Sequence, residues 1–142
     1  ENIFRDVALA TPYMTNYDEF TLQENIDFFL SFKKFRNDMS VREAVQLMGL
    51  SKQLNKQLKH YSSGMKQRVK LGLAILSDSK ILLLDEPSSH LDVNAIAWYQ
   101  DLLKKHSSER LVFVASNKEE AETIGCNLKI NIEDFKLLDA QV

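Results

Sequence analysis

The chain has 142 residues, 44% of them hydrophobic and 27% charged, and a formal net charge of −2 at pH 7. That is one domain's worth of ordinary globular composition, long enough to bury a core, and nothing in its charge balance suggests a polyanion-binding surface, so no nucleic-acid partner is expected. No apolar run approaches the ~20 residues of a membrane span and no signal-peptide pattern opens the chain, so a soluble, cytosolic protein is expected.

The chain starts at Glu1 rather than Met, directly in what reads as a strand, which suggests a piece of a longer domain. Arg5 to Ala10 is that strand, and Thr11 to Asn16 a loop in which Pro12 biases Thr11 to extended geometry. Thr21-Leu22-Gln23-Glu24 is a capping box opening a helix to about Phe35. Leu22, Ile26, Phe29 and Leu30 give this helix one apolar face, and Phe28, Phe32 and Phe35 give it a second. A helix apolar nearly all round is deeply buried or docks a partner. Ser40-Val41-Arg42-Glu43 is a second capping box, with a helix ending near Gly49, and Ser51 to Leu58 forms a short helix or turn.

Tyr61-Ser62-Ser63-Gly64-Met65 then leads into a helix from about Ser63 to Leu76, with Val69, Leu73 and Leu76 at helical spacing. Hydroxyls and a glycine ahead of a helix suit an anion, because first-turn N–H groups are unpaired. Ile81 to Leu84 is purely aliphatic and ends in Asp85 and Glu86 before Pro87. Such a run reads as a strand buried on both faces of a parallel sheet. Ligands of open α/β sheets bind beyond the carboxyl ends of the strands, where Asp85 and Glu86 would sit. Asp92 can cap a helix reaching about His106, and Leu111 to Ala115 is the next buried strand. Ser116-Asn117-Lys118-Glu119 reads as a third capping box, for a helix to about Ile124. Cys126, the single cysteine, excludes an internal disulfide and fits a reducing compartment. Asn127 to Ile132 and Phe135 to Leu138 read as a hairpin turning at Glu133-Asp134.

Residues 61–92 resemble the signature motif, Walker B strand and D-loop of ATP-binding-cassette (ABC) ATPases. The signature is similar to Tyr61 to Met65, the Walker B to Ile81 to Glu86, and the D-loop to Ser88-Ser89-His90-Leu91-Asp92. The resemblance implies an α/β fold: a partial P-loop NTPase (RecA-like) core of parallel strands with an inserted helical subdomain. The core would take residues 1–17 and 80–142, and the helical subdomain residues 18–79. Strand 5–10 would lie beside strand 81–85, with strand 111–115 on its other side.

The same resemblance implies ATP and Mg²⁺ as cofactors. Asp85 would hold the metal, a hard cation that takes oxygen ligands. Glu86 would orient and deprotonate the attacking water. Ser62, Ser63, Gly64 and Met65 would contact the γ-phosphate of a nucleotide held on a second nucleotide-binding subunit, across a head-to-tail dimer. His90 and Asp92 of the D-loop would lie near that partner. The parent would sit at the inner face of the cell membrane through a membrane-spanning transporter subunit, which the phenylalanine-rich helix could contact. Plainer readings of the same residues are a strand end meeting solvent for Asp85 and Glu86, and a serine-capped helix for Ser62.

Several positions depart from the family pattern. Ser63 adds a Cβ where glycine is usual. Ser116 occupies the place of the switch histidine; it can donate a hydrogen bond but cannot become a cation, and it could equally cap a helix. Pro12 or Tyr13 stands where the Q-loop glutamine is expected. The glycines Gly49, Gly64, Gly72 and Gly125 provide no G-x-x-x-x-G-K-[ST], hence no phosphate nest or phosphate lysine. Two such chains would bring two signatures and no P-loop, so this chain alone is expected neither to bind ATP tightly nor to hydrolyse it. Met65-Lys66-Gln67-Arg68 leans toward exporter-type subunits. A non-catalytic regulatory ABC domain is one alternative. A soluble ABC ATPase on nucleic acid or ribosomes is another, but it should carry basic arm-like insertions that this chain lacks.

Overall fold

Three aliphatic runs pair side by side. The computed structural model describes residues 3–117 and 120–135. Within them β1 (Val7–Ala10), β2 (Ile81–Asp85) and β3 (Leu111–Ala115) form one parallel sheet in the order β1-β2-β3. Parallel neighbours need long crossovers. The first contains α2 (Leu22–Leu30), α3 (Val41–Leu47) and α4 (Ser63–Leu76), and the second is α5 (Val93–His106). This is the α/β architecture, with the strand order, that the resemblance implies.

The register places Leu9 beside Leu83 and Leu83 beside Phe113, with Ala10, Leu84 and Val114 in line one step further on. Side chains alternate between faces. Ala8, Ala10, Leu82 and Leu84 enter a core shared with Val69, Leu71, Ile75 and Leu76 of α4 and Tyr99, Leu102 and Leu103 of α5. The opposite face stays open: Leu9 is 43% exposed, Leu111 55% and Phe113 52%. The expectation that β2 and β3 are buried on both faces is therefore corrected. Apolar composition makes a strand coverable; here the outward side chains of the central β2, Ile81 and Leu83, are half-buried by their neighbours, while those of β3 are exposed.

Both early capping boxes form. The Thr21 and Ser40 hydroxyls accept from the N–H of Glu24 and Glu43, whose carboxylates reach back to the cap N–H at 2.7 and 2.9 Å. These bonds favour the ionised carboxylates and hold both below the usual glutamate range. The first helix stops at Leu30 rather than near Phe35, because the Ser31 hydroxyl turns back to the Phe28 carbonyl at 2.5 Å. Phe35 instead precedes a 3₁₀ turn, Arg36–Asp38, and is buried by its own route. Phe28 and Phe32 stay exposed, in edge contact with each other and, through Phe28, with Tyr17.

Other boundaries move too. The strand expected from Arg5 begins only at Val7, after a helical turn, α1 (Ile3–Asp6). The helix expected from Ser116 is a single 3₁₀ turn, Glu120–Glu122; Lys118 and Glu119 lie outside the described residues. The expected tail hairpin is absent among the described residues. Residues 127–131 are irregular, Ile132–Phe135 is a 3₁₀ turn, and residues 136–138 lie outside the description.

Candidate functional site

The site grows from the carboxyl end of β2. Asp85 pairs in register with Ala115 and is half-buried, and its side chain has no hydrogen bond or ion pair among the described residues. Glu86 follows with φ 44, a left-handed conformation uncommon for a side chain of this size. Such a conformation costs about 1–3 kcal/mol and survives where neighbours enforce it. Here the Glu86 N–H donates to the Ala115 carbonyl at 2.9 Å, and its carbonyl accepts from the Ser89 N–H at 3.0 Å. Its carboxylate is held at both oxygens by neutral donors. Asn117 gives its side-chain amide to Oε1, and the Ser89 hydroxyl reaches Oε2 at 3.3 Å. Ser116, half-buried, is the residue between β3 and Asn117.

The loop after Glu86 is tied down from three sides. The Pro87 carbonyl accepts from the Gln67 amide of α4 at 3.1 Å, in a buried setting. Ser88 donates both its N–H and its hydroxyl to Glu122 Oε1, at 2.9 and 2.5 Å. His90 is exposed with φ 64. Asp92 is occupied as the N-cap of α5, accepting from the Ala95 N–H at 2.8 Å. Glu86, Ser88, Ser89, Leu91, Ile96, Asn117 and Glu122 surround a cavity of about 420 Å³.

The signature tip abuts this loop. Ser62 caps α4 by accepting from the Met65 N–H at 3.2 Å, leaving Ser63 exposed and Gly64 and Met65 half-buried on the first turn. The Gly64 and Ser63 N–H groups precede the first intrahelical bonds and have no hydrogen-bond acceptor among the described residues, which suits an anion. A Cβ on Gly64 would lie 3.1 Å from the His90 carbonyl, so the close approach of the two motifs depends on glycine. Tyr61 anchors the tip: its ring is buried, its hydroxyl donates to the Gln53 carbonyl at 2.8 Å, and burial pushes its phenol up to about 12.

The loop after β1, where Pro12 and Tyr13 lie, is fixed to the same helix. Lys70 donates to the Thr11 and Pro12 carbonyls at 2.9 and 3.3 Å, and burial lowers its pKa. Lys66 pairs with Asp18 at 2.5 Å. Tyr13 itself is 90% exposed.

Thus the expected residues Ser62, Ser63, Gly64 and Met65 lie on the turn against His90, while Asp85, Glu86 and Ser116 lie at the adjoining strand ends. Asp92 faces its own helix. Sequence reasoning missed Gln67, Asn117 and Glu122. None belongs to the three motifs, and each meets its partner across 20 or more residues of chain.

Comparison with known proteins adds the family. The model described as "ABC transporter" matches residues 5–89. The trehalose/maltose import ATP-binding protein MalK of Thermococcus litoralis is 33% identical over 132 residues, 89% of this chain and 36% of that protein. The oligosaccharides import ATP-binding protein MsmX of Bacillus subtilis is 31% identical, covering 94% of this chain and 38% of its own length. The phospholipid-transporting ATPase ABCA3 of Homo sapiens is 26% identical over 90% of this chain and 8% of its own. The chain thus spans little more than a third of the import proteins it matches, and relatives with different named roles match over similar stretches. With the motifs, the parallel sheet and this family match in agreement, the chain belongs to the ABC transporter family.

Proposed function

We propose that this chain forms part of the ATP-hydrolysing subunit of an ABC transporter and supplies the signature, Walker B and D-loop of composite nucleotide sites. The observation that carries the reading is Glu86, turned out of its strand and held at both carboxylate oxygens, on the loop that packs against the tip of α4. Asp85 fits a Mg²⁺ ligand, being a half-buried carboxylate at a strand end with no partner among the described residues. MgATP, when bound, supplies the phosphoanhydride that is cleaved.

Glu86 takes the proton of the attacking water; Ser89 and Asn117 keep its oxygens aimed. Ser62, Ser63, Gly64 and Met65 offer hydroxyls and first-turn N–H groups to the γ-phosphate of a nucleotide held by a second subunit. His90 lies toward that subunit, as does the loop end at Asp92. Ser116 donates its hydroxyl at the switch position. Without a phosphate nest in its 142 residues, the chain alone neither binds ATP tightly nor turns it over.

Among the described residues no helix is long and apolar enough to cross a membrane. Association with the inner face of the cell membrane then comes through a membrane-spanning partner. The exposed ring cluster of Tyr17, Phe28 and Phe32 supports a contact with it. In the full-length protein, Glu86→Gln should lower ATP turnover by about 10²- to 10³-fold with nucleotide binding retained. Undiminished turnover removes Glu86 as the base. Micromolar ATP binding to the 142-residue chain in a calorimetric titration overturns its inertness.

A second reading, a non-catalytic regulatory ABC domain, is favoured by Ser116 and by Pro12 and Tyr13 at positions where ionisable or amide groups are usual. It requires wild-type and Glu86→Gln proteins to be equally inactive.

A further inference from the structure

We infer that Glu122 is a positioning residue for the reaction proposed above: its carboxylate clamps Ser88 and so fixes where Ser89 presents its hydroxyl to Glu86. The inference rests on the reading of Glu86 as the group that takes the water's proton. Glu122 is 2% exposed, and a carboxylate taken out of water is costly unless hydrogen bonds compensate. Its Oε1 receives both donors of Ser88. Its Oε2 is buried with no hydrogen-bond partner among the described residues. Well-packed apolar side chains replace buried charges at little or no loss of stability. Packing alone therefore gives no reason for a glutamate here, and the grip on Ser88 does.

The turn carrying Glu122 is itself anchored on a rigid element. Tyr99, fully buried in α5, donates its hydroxyl to the Glu122 carbonyl at 3.1 Å, and Gln100 donates its amide to the Ala121 carbonyl at 2.9 Å. Ser89, next along from Ser88, gives its N–H to the Glu86 carbonyl at 3.0 Å and its hydroxyl to Oε2 at 3.3 Å. Contacts therefore run without a gap from α5 through Glu122, Ser88 and Ser89 to Glu86. Site geometry is most precise when supporting contacts lead back to a helix in this way.

Glutamine at 122 keeps an acceptor oxygen in place, whereas methionine keeps the volume and removes the acceptor. Two measurements decide: amide hydrogen exchange at Ser88 in the 142-residue chain, followed by NMR, and steady-state ATP turnover in the full-length protein. Glu122→Met should speed Ser88 exchange by at least about tenfold and lower kcat by about tenfold at unchanged KM. Glu122→Gln should stay within about twofold of wild type in both. Ser88→Ala removes one of the two bonds and should lower kcat by about threefold, which keeps the test open if the methionine variant does not fold. The clamp is overturned by unchanged exchange in Glu122→Met, by faster exchange at unchanged kcat, by Glu122→Gln behaving like Glu122→Met, or by a silent Ser88→Ala. A Glu86→Gln protein with full turnover withdraws the reading of the site instead, and Ser88 exchange then still decides the clamp.

Discussion

Asn117, the second residue past β3, gives its side-chain amide to the carboxylate of Glu86, the first residue past β2. The neighbouring strands thus share one polar bridge at their carboxyl ends, and the bridge is neutral on the donor side. Removing it leaves Oε1 without that donor and lets the side chain sample other rotamers. Asn117→Ala in the full-length protein should lower kcat for ATP about tenfold while KM stays within twofold. A change in KM alone would mean that Asn117 acts on nucleotide binding.

The contact between Gly64 and the His90 carbonyl is tight enough to test by adding one methyl group. Gly64→Ala would place a Cβ 3.1 Å from that oxygen, and the His90 backbone that carries it is already held at φ 64. Alanine favours a helix over glycine by up to about 1 kcal/mol, which offsets part of the strain. The melting temperature should therefore stay within about 3 °C of wild type, while cross-subunit ATP turnover falls. Thermal melting beside an ATPase assay separates the two effects.

Deeper in the helices, Gly72 accommodates Met48. An added Cβ would come within 2.4 Å of Met48 Cγ, and Met48 is fully buried. Overpacking of this kind typically costs about 1–3 kcal/mol. In a Met48→Ala background the space is free, and only the helix preference of alanine remains. Gly72→Ala should thus destabilise the wild type and stabilise the Met48→Ala protein, a reversal of sign that urea unfolding would detect.

Acid stability should carry the mark of His106. Burial lowers its pKa, and Arg36, Lys105 and Arg110 nearby lower it further, while Asp101 acts weakly the other way. Protonation therefore favours the unfolded chain. The stability it contributes is complete above the ordinary value of 6.5 and is lost as pH falls through the lower folded value. Glu24 and Glu43 are also lowered, but they act only below 4.5, so a comparison of pH 7.5 with pH 5.5 isolates the histidine. The melting temperature should be lower at pH 5.5 than at pH 7.5, and His106→Asn should shrink that difference.

Much of this could be read from the residues. The Ser62 cap and the aliphatic runs place α4, β2 and β3 to the residue, because a hydroxyl ahead of a helix and a run of branched side chains each act locally. What needed distant information was missed. The pattern of phenylalanines continues past Leu30, but the Ser31 hydroxyl ends the helix. Beyond Ser116 and Asn117, as far as Ile124, the described residues show only the 3₁₀ turn Glu120–Glu122, since no apolar stripe follows to reward a longer helix. The alternation of Leu128, Ile130 and Ile132 suggests a strand, yet all three are exposed and unpaired in any sheet. At the site, Asp85, Glu86 and the serine-glycine tip are visible as motifs. Asn117 and Glu122 are not, since their importance arises only when the segment after β3 folds back over the loop after β2.

The half-clad sheet has a calorimetric consequence. Leu9, Leu111 and Phe113 already meet water in the native chain, so unfolding hydrates less new hydrocarbon there than a two-sided sheet would release. The heat-capacity increment should fall below the usual ~12–15 cal/mol/K per residue. Stability then varies more gently with temperature. Any element that came to lie on that face would restore the increment and raise the melting point together.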